Sequence, residues 1–441
     1  MPELKDHPYA SIGEIDRQSP TWTRHFVLAA ICLAATIAYI PRNWLGVASD
    51  RVQADFGMGT FEMGVAMSAF FWGYSAFQIP AGWLGHRWSP RAGLAFFASF
   101  WSVCIILVGV SADAPNLIAR QFAFGMTQAA IFPCCADVIS KWIPTARRAM
   151  ASGALGSFMS IGGAIGSAAT GALLPHMTWR WILILFAIPG FVWAVGFWFW
   201  FRDRPEDHWH VNDAELQLIR QGKPAKKETV RPPTPWLAIL LSFDMWMIFG
   251  QQFFRAAGYI FYATWFPKYL REIYGISTKQ SGFLTALPLL AVVGGSLLGG
   301  FLVDWLWNRF GSKRISRQAV AVVAMFSCAA LICFAYFITD AATAVLIISA
   351  GSFFAGLSGS CGYTVTIDKS GDCVAPIFGI MNMSGNIGAS LCPLAIAMFV
   401  KLNGGNWQPV LLLFVAIYIF AGVCWMLLNP NGSIMPKTGK Q

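Results

Sequence analysis

The chain has 441 residues, 56% of them hydrophobic and only 12% charged, with a mean hydropathy of +0.55. A soluble protein of this size carries about 25% charged residues, so the composition excludes a soluble globular fold and leaves a polytopic membrane enzyme or transporter. The net charge of +10 lies in short loops on one side of the apolar stretches, a sign of topology rather than of a nucleic-acid surface.

The first twenty residues are polar, without an apolar core or cleavage site, so no signal peptide is expected. Apolar stretches of about 20 residues, enough to cross a bilayer core of roughly 30 Å, then recur. They predict spans at 23–49, 60–84, 92–112, 115–140, 149–174 and 179–201, then at 243–270, 280–306, 318–339, 341–366, 373–400 and 406–428. Open strands would leave backbone groups unpaired in lipid, so the expectation is an all-α membrane protein with twelve transmembrane helices.

Between the sixth and seventh spans lies a charged, Pro-broken segment, Arg202 to Pro235, with room for one short surface helix. The expected division is an N-terminal six-helix bundle at 1–201, a linker at 202–242 and a C-terminal six-helix bundle at 243–441. Loops after even-numbered spans carry Arg87, Arg91, Lys141, Arg147, Arg148 and the run Arg309, Lys313, Arg314 and Arg317. The positive-inside rule then places both termini and the linker in the cytoplasm of a cell with an inner membrane.

A weak internal repeat supports the duplication. Gly57 to His86 aligns without gaps to Gly275 to Asp304 at an offset of 218, pairing Gly57, Thr60, Gly64, Gly82 and Leu84 with Gly275, Thr278, Gly282, Gly300 and Leu302. Two parallel six-helix repeats with a site near the midplane form a transporter plan.

Two arginines stand inside the spans, one in each half: Arg42 in the first helix and Arg255 in the seventh. A guanidinium keeps its charge when buried, and placing it at membrane depth costs roughly 2.5–3.5 kcal/mol on insertion scales. An interfacial anchor is the bland reading of Arg42, but two turns of helix are expected beyond it. Arg255 sits near the bilayer centre with no acid within a helical turn. Both are therefore expected to attract an anion. Mapped through the repeat, residue 255 falls on Ile37, five residues before Arg42, which separates the charges in depth by roughly 7 Å.

Hydrogen-bond partners for such a guest have helical spacing. Tyr74 and Gln78 stand four apart in the second helix, as do Asn382 and Asn386 in the eleventh. Gln251 and Gln252 precede Arg255 by a turn, and Tyr259 follows it. Polar side chains also join membrane helices, typically for about 0.6 kcal/mol each. The fifth helix, with GAIGSAATG, reads as close packing, since no strand precedes that run to make it a nucleotide loop. The ten Cys and six His show no metal-ligand spacing, and no nucleophile–base pair lies within a span, so neither cofactor, metal nor catalysis is expected.

The runs SAFFWGYSAFQIPAGWLGHRWSPR (Ser68 to Arg91), FGMTQAAIFPCCADVISKWIP and FGIMNMSGNIGASLCP resemble the major facilitator superfamily, and within it the anion:cation symporter family. That family includes bacterial sugar-acid transporters and the vesicular glutamate and sialic acid transporters. The resemblance matches Arg42 to the family's helix-1 arginine, whose preceding acid is here Pro41. A family glutamate five residues before the helix-4 proline is here Gln128, and an arginine seven residues earlier is Gln121, with Arg120 beside it. In related members those acids carry the driving proton, so proton coupling is doubtful here. Arg255, twelve residues before Pro267, matches vesicular members.

The cytoplasmic gate motif of the family holds an acid where this chain has His86, while the second half keeps Asp304. The resemblance implies gating roles for Arg87, Arg91, Asp137 and Asp304, with Asp137 pairing Arg87 or Arg91. The expectation is a monomer that carries a small organic anion, a sugar acid or other carboxylate, by alternating access. Arg42, Arg255, Tyr74, Gln128, Asn382, Asn386, Gln78, Gln252 and Tyr259 would line the path, with a co-transported ion left open. An organophosphate:phosphate type of exchanger is the alternative, and a non-transporting membrane sensor a more distant one.

Overall fold

A computed structural model describes residues 19–144, 147–221, 236–370, 374–432 and 434. The side chains of Ile79, residues 81–87, Ala149, Trp236, Ala238 and residues 374–376 lie outside that description, which leaves the gating expectation for Arg87 outside the described residues.

The described residues form helices and no strands. Six crossings make the first half: α1 (Thr23–Tyr39) with α2 (Trp44–Phe56), α3 (Thr60–Trp88), α4 (Pro90–Gly109), α5 (Ala114–Gln128) with α6 (Ile131–Trp142), α7 (Arg148–Leu173) and α8 (Trp179–Trp200). Two short helices, α9 (Asp213–Arg220) and α10 (Trp236–Leu241), lie in the connecting segment. The second half repeats the plan with α11 (Phe243–Ala263) and α12 (Phe266–Tyr274), α13 (Thr278–Phe310), α14 (Val320–Ala335), α15 (Ala341–Ser370), α16 (Val374–Leu402) and α17 (Val410–Leu427). Nine of these crossings are long and apolar enough to span a membrane by length and composition alone, among the described residues.

Three crossings expected as single helices are broken, each at a proline that cannot donate a backbone N–H. A 3₁₀ turn, Ile40–Arg42, separates α1 from α2 around Pro41. Pro133 lies in the first turn of α6, and Pro267 opens α12 just beyond the irregular Thr264, at φ −116° and ψ −77°. Membrane helices tolerate such breaks where the freed groups face protein rather than lipid.

The duplication is visible in the backbone. Gly57 and Gly275, 218 residues apart, end α2 and α12 in the left-handed region at φ 63° and 64°, where glycine carries no steric cost. The next helices then begin at Thr60 and Thr278, at the same offset. Ser277 caps the second of these, accepting from the Gln280 N–H at 3.2 Å while its own N–H donates to the Gln280 side chain at 3.1 Å.

The halves meet along α3 with α16 and α7 with α13, through glycines that let backbones approach. A Cβ on Gly64 would lie 3.1 Å from the Pro393 carbonyl oxygen, and one on its repeat mate Gly282 would lie 2.7 Å from that of Ser167. Thr23, Arg24, the connecting segment and Ile434 gather at one end of the bundle, called here the linker end. Thr23 Oγ1 donates to the His210 carbonyl at 2.9 Å, Arg24 pairs with the buried Glu215, and the Ile434 N–H donates to the Lys369 carbonyl.

At the opposite, far end, polar contacts bind one half to the other. Asp50 of α2 pairs with Lys268 at 3.1 Å and Arg271 at 2.8 Å, both on α12. Nearer the linker end, Asn386 of α16 also donates to Gln78 of α3 across the halves at 2.6 Å. The far end is closed.

Candidate functional site

Each half contributes one arginine held by a neutral amide. Arg42 leaves the 3₁₀ turn, and its Nε donates to Gln128 Oε1 at 2.6 Å. Gln128, fully buried, uses its Nε2 to donate to the Ala38 carbonyl at 2.7 Å, one of the carbonyls freed at the end of α1. Both ends of the amide are thus committed, which fixes its orientation. The rings of Tyr39, Tyr74 and Phe70 flank the Arg42 guanidinium, with centroids 3.8, 4.7 and 5.1 Å from its Cζ. Cation–π contacts of this kind are worth about 0.5–2 kcal/mol each, and they steady the charge without cancelling it.

Arg255 of α11 donates from Nη2 to Gln252 Oε1 at 2.9 Å, one turn earlier on the same helix. Its guanidinium lies against α15 where Gly359 leaves room, since a Cβ there would stand 3.1 Å from Nη1. Gly385 of α16 and Gly362 of α15 make the same allowance for Gln252 and Gln251, at 2.9 and 3.3 Å from their Nε2 atoms. Three glycines on two helices therefore form the bed for the polar side chains of a third. Among the described residues neither Arg42 nor Arg255 has a carboxylate within 4.0 Å.

Small cavities adjoin both charges. One is lined by Arg42, Leu45, Met67, Phe70, Gln121 and Thr264, the other by Arg255, Tyr259, Tyr262, Val292, Ala355 and Tyr418, each holding about 10 Å³. That is room for about one water. Tyr259 lines the Arg255 cavity, close enough to feel the charge of both arginines, and its hydroxyl lies 3.4 Å from Ser160 of α7.

The structure thus gathers Arg42, Tyr74 and Gln128 in one cluster and Arg255, Gln252 and Tyr259 in another. Gln78 and Asn386 bind each other across the halves, Asn386 Nδ2 donating to Gln78 Oε1 at 2.6 Å. Asn382 is half-buried one turn away on α16. Tyr39 and Phe70 were not singled out from the sequence, although Tyr39 stands three residues before Arg42, a spacing that places it on the same face.

At the linker end, Asp137 does not pair with Arg91 as the sequence led one to expect. It holds Lys141 at 3.0 Å, one turn on. Arg91 instead donates from Nε to the Trp198 carbonyl at 2.8 Å, and its N–H binds Asp203 at 2.9 Å. The physical reason is position: Arg91 opens α4 beside the end of α8, where the Trp198 carbonyl and Asp203 take its donors. Asp304 is exposed and makes no ion pair among the described residues; in that half Asp368 pairs with Arg317 and lies 3.6 Å from Lys313. No cluster of metal-ligating residues occurs among the described residues.

Comparison with known proteins decides the family. The model for the Major Facilitator Superfamily matches residues 31–372. The chain belongs to that superfamily. It is 30% identical over 390 residues to the probable sulfoacetate transporter SauU of Cupriavidus necator, covering 88% of this chain and 90% of that one. It is 30% identical to the probable galactarate/D-glucarate transporter GudP of Bacillus subtilis, covering 96% and 95%. A D-galactonate transporter of Escherichia coli is 29% identical over 94% and 97%. In fold, the chain matches a bacterial homolog of the human lysosomal transporter Spinster, solved in an inward-facing and occupied conformation. That match has a TM-score of 0.70 at 17% identity, covering 93% of this chain and 97% of that one.

Proposed function

We propose that this protein carries a small organic anion across the inner membrane by alternating access, with Arg42 and Arg255 as its two anion-binding charges. The observation that supports this most is the state of those charges: each is half-buried beside a neutral amide and lacks a carboxylate among the described residues. A guanidinium at membrane depth without a carboxylate is costly, and an anionic guest lowers the cost. Tyr74, Tyr259, Asn382, Asn386 and Gln78 supply hydrogen bonds to the rest of the guest, and no covalent chemistry is involved.

Of the relatives named above, the probable sulfoacetate and galactarate/D-glucarate transporters are named for acids with an acidic group at both ends, and the D-galactonate transporter for a monocarboxylate. Two separated arginines, one per half, suit such an extended dianion, one end at each charge. The bundles 1–201 and 243–441 rock about the guest while the linker 202–242 tethers them, with both termini and the linker in the cytoplasm. The closed far end is then the outer face, and the protein acts as a monomer.

Gln128 at the helix-4 position favours transport without a proton on that helix. A neutral amide cannot titrate, so the anion gradient or exchange of one anion for another drives flux. Purified protein in liposomes tests the reading. Labelled acid should enter by counterflow with or without a pH gradient, and Arg42→Gln and Arg255→Gln should each abolish it. Unaltered flux in either variant rejects the two-charge site, and flux that needs a pH gradient rejects the exchange.

A further inference from the structure

The contact that closes the far end has an unbalanced charge. Asp50, on α2 of the first half, is shared by Lys268 and Arg271 of α12, two cations for one carboxylate. The side chains of Lys268 and Arg271 are only 9% and 10% exposed, whereas that of Asp50 is 47% exposed. Both cations belong to α12 of the second half, and in the closed state α2 covers them and supplies the carboxylate.

Their remaining partners divide unevenly. Lys268 also donates to Gln53, and Arg271 donates from Nη2 to Ser49 at 3.0 Å, both on α2. Arg271 Nη1 donates to Ser281 of α13 at 3.2 Å, the one partner in its own half among the described residues. Parting the halves at this end removes Asp50, Gln53 and Ser49 together. Two cations then face the opening with no carboxylate, and their field draws an anion from the bulk.

We propose that Lys268 and Arg271, with Ser281, form an anion-capture site on the far face, occupied by the Asp50 carboxylate when that end is closed. When it is open, a carboxylate or sulfonate from the bulk takes the place of Asp50. Asp50 is thus a tethered stand-in for the cargo's acidic group, and arrival of cargo competes with the latch and favours opening. The proposal rests on the alternating-access reading above, but the site is separate from Arg42 and Arg255.

That separation allows a test in which the central site is silent. In an Arg42→Gln, Arg255→Gln background, Asp50→Asn should give a protein whose melting temperature rises with acetate or methanesulfonate, saturating in the millimolar range. Adding Arg271→Gln should remove the rise. The proposal is overturned if Asp50→Asn adds no anion-dependent rise, or if the rise survives both Arg271→Gln and Lys268→Gln. Should that variant not fold, Lys268→Gln in the otherwise unaltered protein decides. It should raise the KM for anion offered from the far side several-fold and leave the KM from the linker side unchanged, whereas equal or absent changes overturn the proposal. Absence of flux in the unaltered protein would instead reject the transport reading, and the melting experiment would still decide the site.

Discussion

Gly46 of α2 and Thr264, the irregular residue between α11 and α12, touch across the two halves: a Cβ on Gly46 would lie 2.1 Å from the Thr264 carbonyl oxygen. They are 218 residues apart, the repeat offset, so each is the other's counterpart in the duplicated plan. The contact lies directly beside the Arg42 cavity that both residues line.

Gly46→Ala should therefore prevent the far end from closing. Overpacking of a tight contact costs about 1–3 kcal/mol, enough to shift a two-state balance by roughly 5- to 150-fold. Uptake should fall below about a tenth of normal. A cysteine at Met67, buried beside the same cavity, should become reactive to an impermeant thiol reagent from that side. A Gly46→Ala protein with normal uptake and an unreactive Met67→Cys would show that closing does not depend on this contact.

Gln128→Glu asks what the amide at that position does. A carboxylate 2.6 Å from Arg42 Nε would ionise readily, because the guanidinium favours the charged form. It would then neutralise Arg42 and compete with the cargo. Uptake should drop several-fold and stay low across the neutral and mildly acidic range, because the guanidinium keeps the new acid ionised. A variant with normal uptake would mean that Arg42 does not carry the anion.

Much of this arrangement can be read in the residue string, and the rest fails for identifiable reasons. The spans, the offset and the Gly57–Gly275 and Gly64–Gly282 pairs follow from hydropathy and local backbone need, which depend on near neighbours. The helix breaks do not, because Pro41, Pro133 and Pro267 sit in apolar runs where a membrane helix could also have continued through them. The Arg42–Gln128 bond and the Gln78–Asn386 bridge join residues 86 and 308 positions apart, a proximity that only the folded bundle creates. Asp50, Lys268 and Arg271 were passed over because charges near span ends ordinarily face water.

Gly359 offers a gentler probe of the second charge. Gly359→Val would press its side chain on Arg255 Nη1, which already lies 3.1 Å from where a Cβ would begin. The guanidinium must swing away from Gln252 while α11 and α15 stay packed. The expected result is a several-fold higher KM for the anion with a smaller change in kcat, read from initial uptake rates. A change in kcat alone would place Arg255 in helix packing rather than in binding.

The linker end carries a pH-dependent element outside the spans. His208 is buried among Trp142, Trp200 and Trp209, with ring centroids 5.5, 5.3 and 5.0 Å away. Its Nδ1 accepts from the His210 N–H at 3.2 Å, so the proton sits on Nε2, which has no partner among the described residues. Burial first, then the charges of His210 and Arg202, lower its pKa from 6.5 to about 4. Above pH 6.5 the ring is neutral whether folded or not and contributes nothing to pH dependence. Between 6.5 and about 4 the unfolded chain binds a proton that the folded one refuses, so stability falls as the pH falls, by about 1.4 kcal/mol per pH unit. Melting of the purified protein should thus decline across that window, and His208→Phe, which keeps the ring packing, should decline less. Identical curves for the two proteins would show that this histidine is already charged, or already exposed, in the folded state.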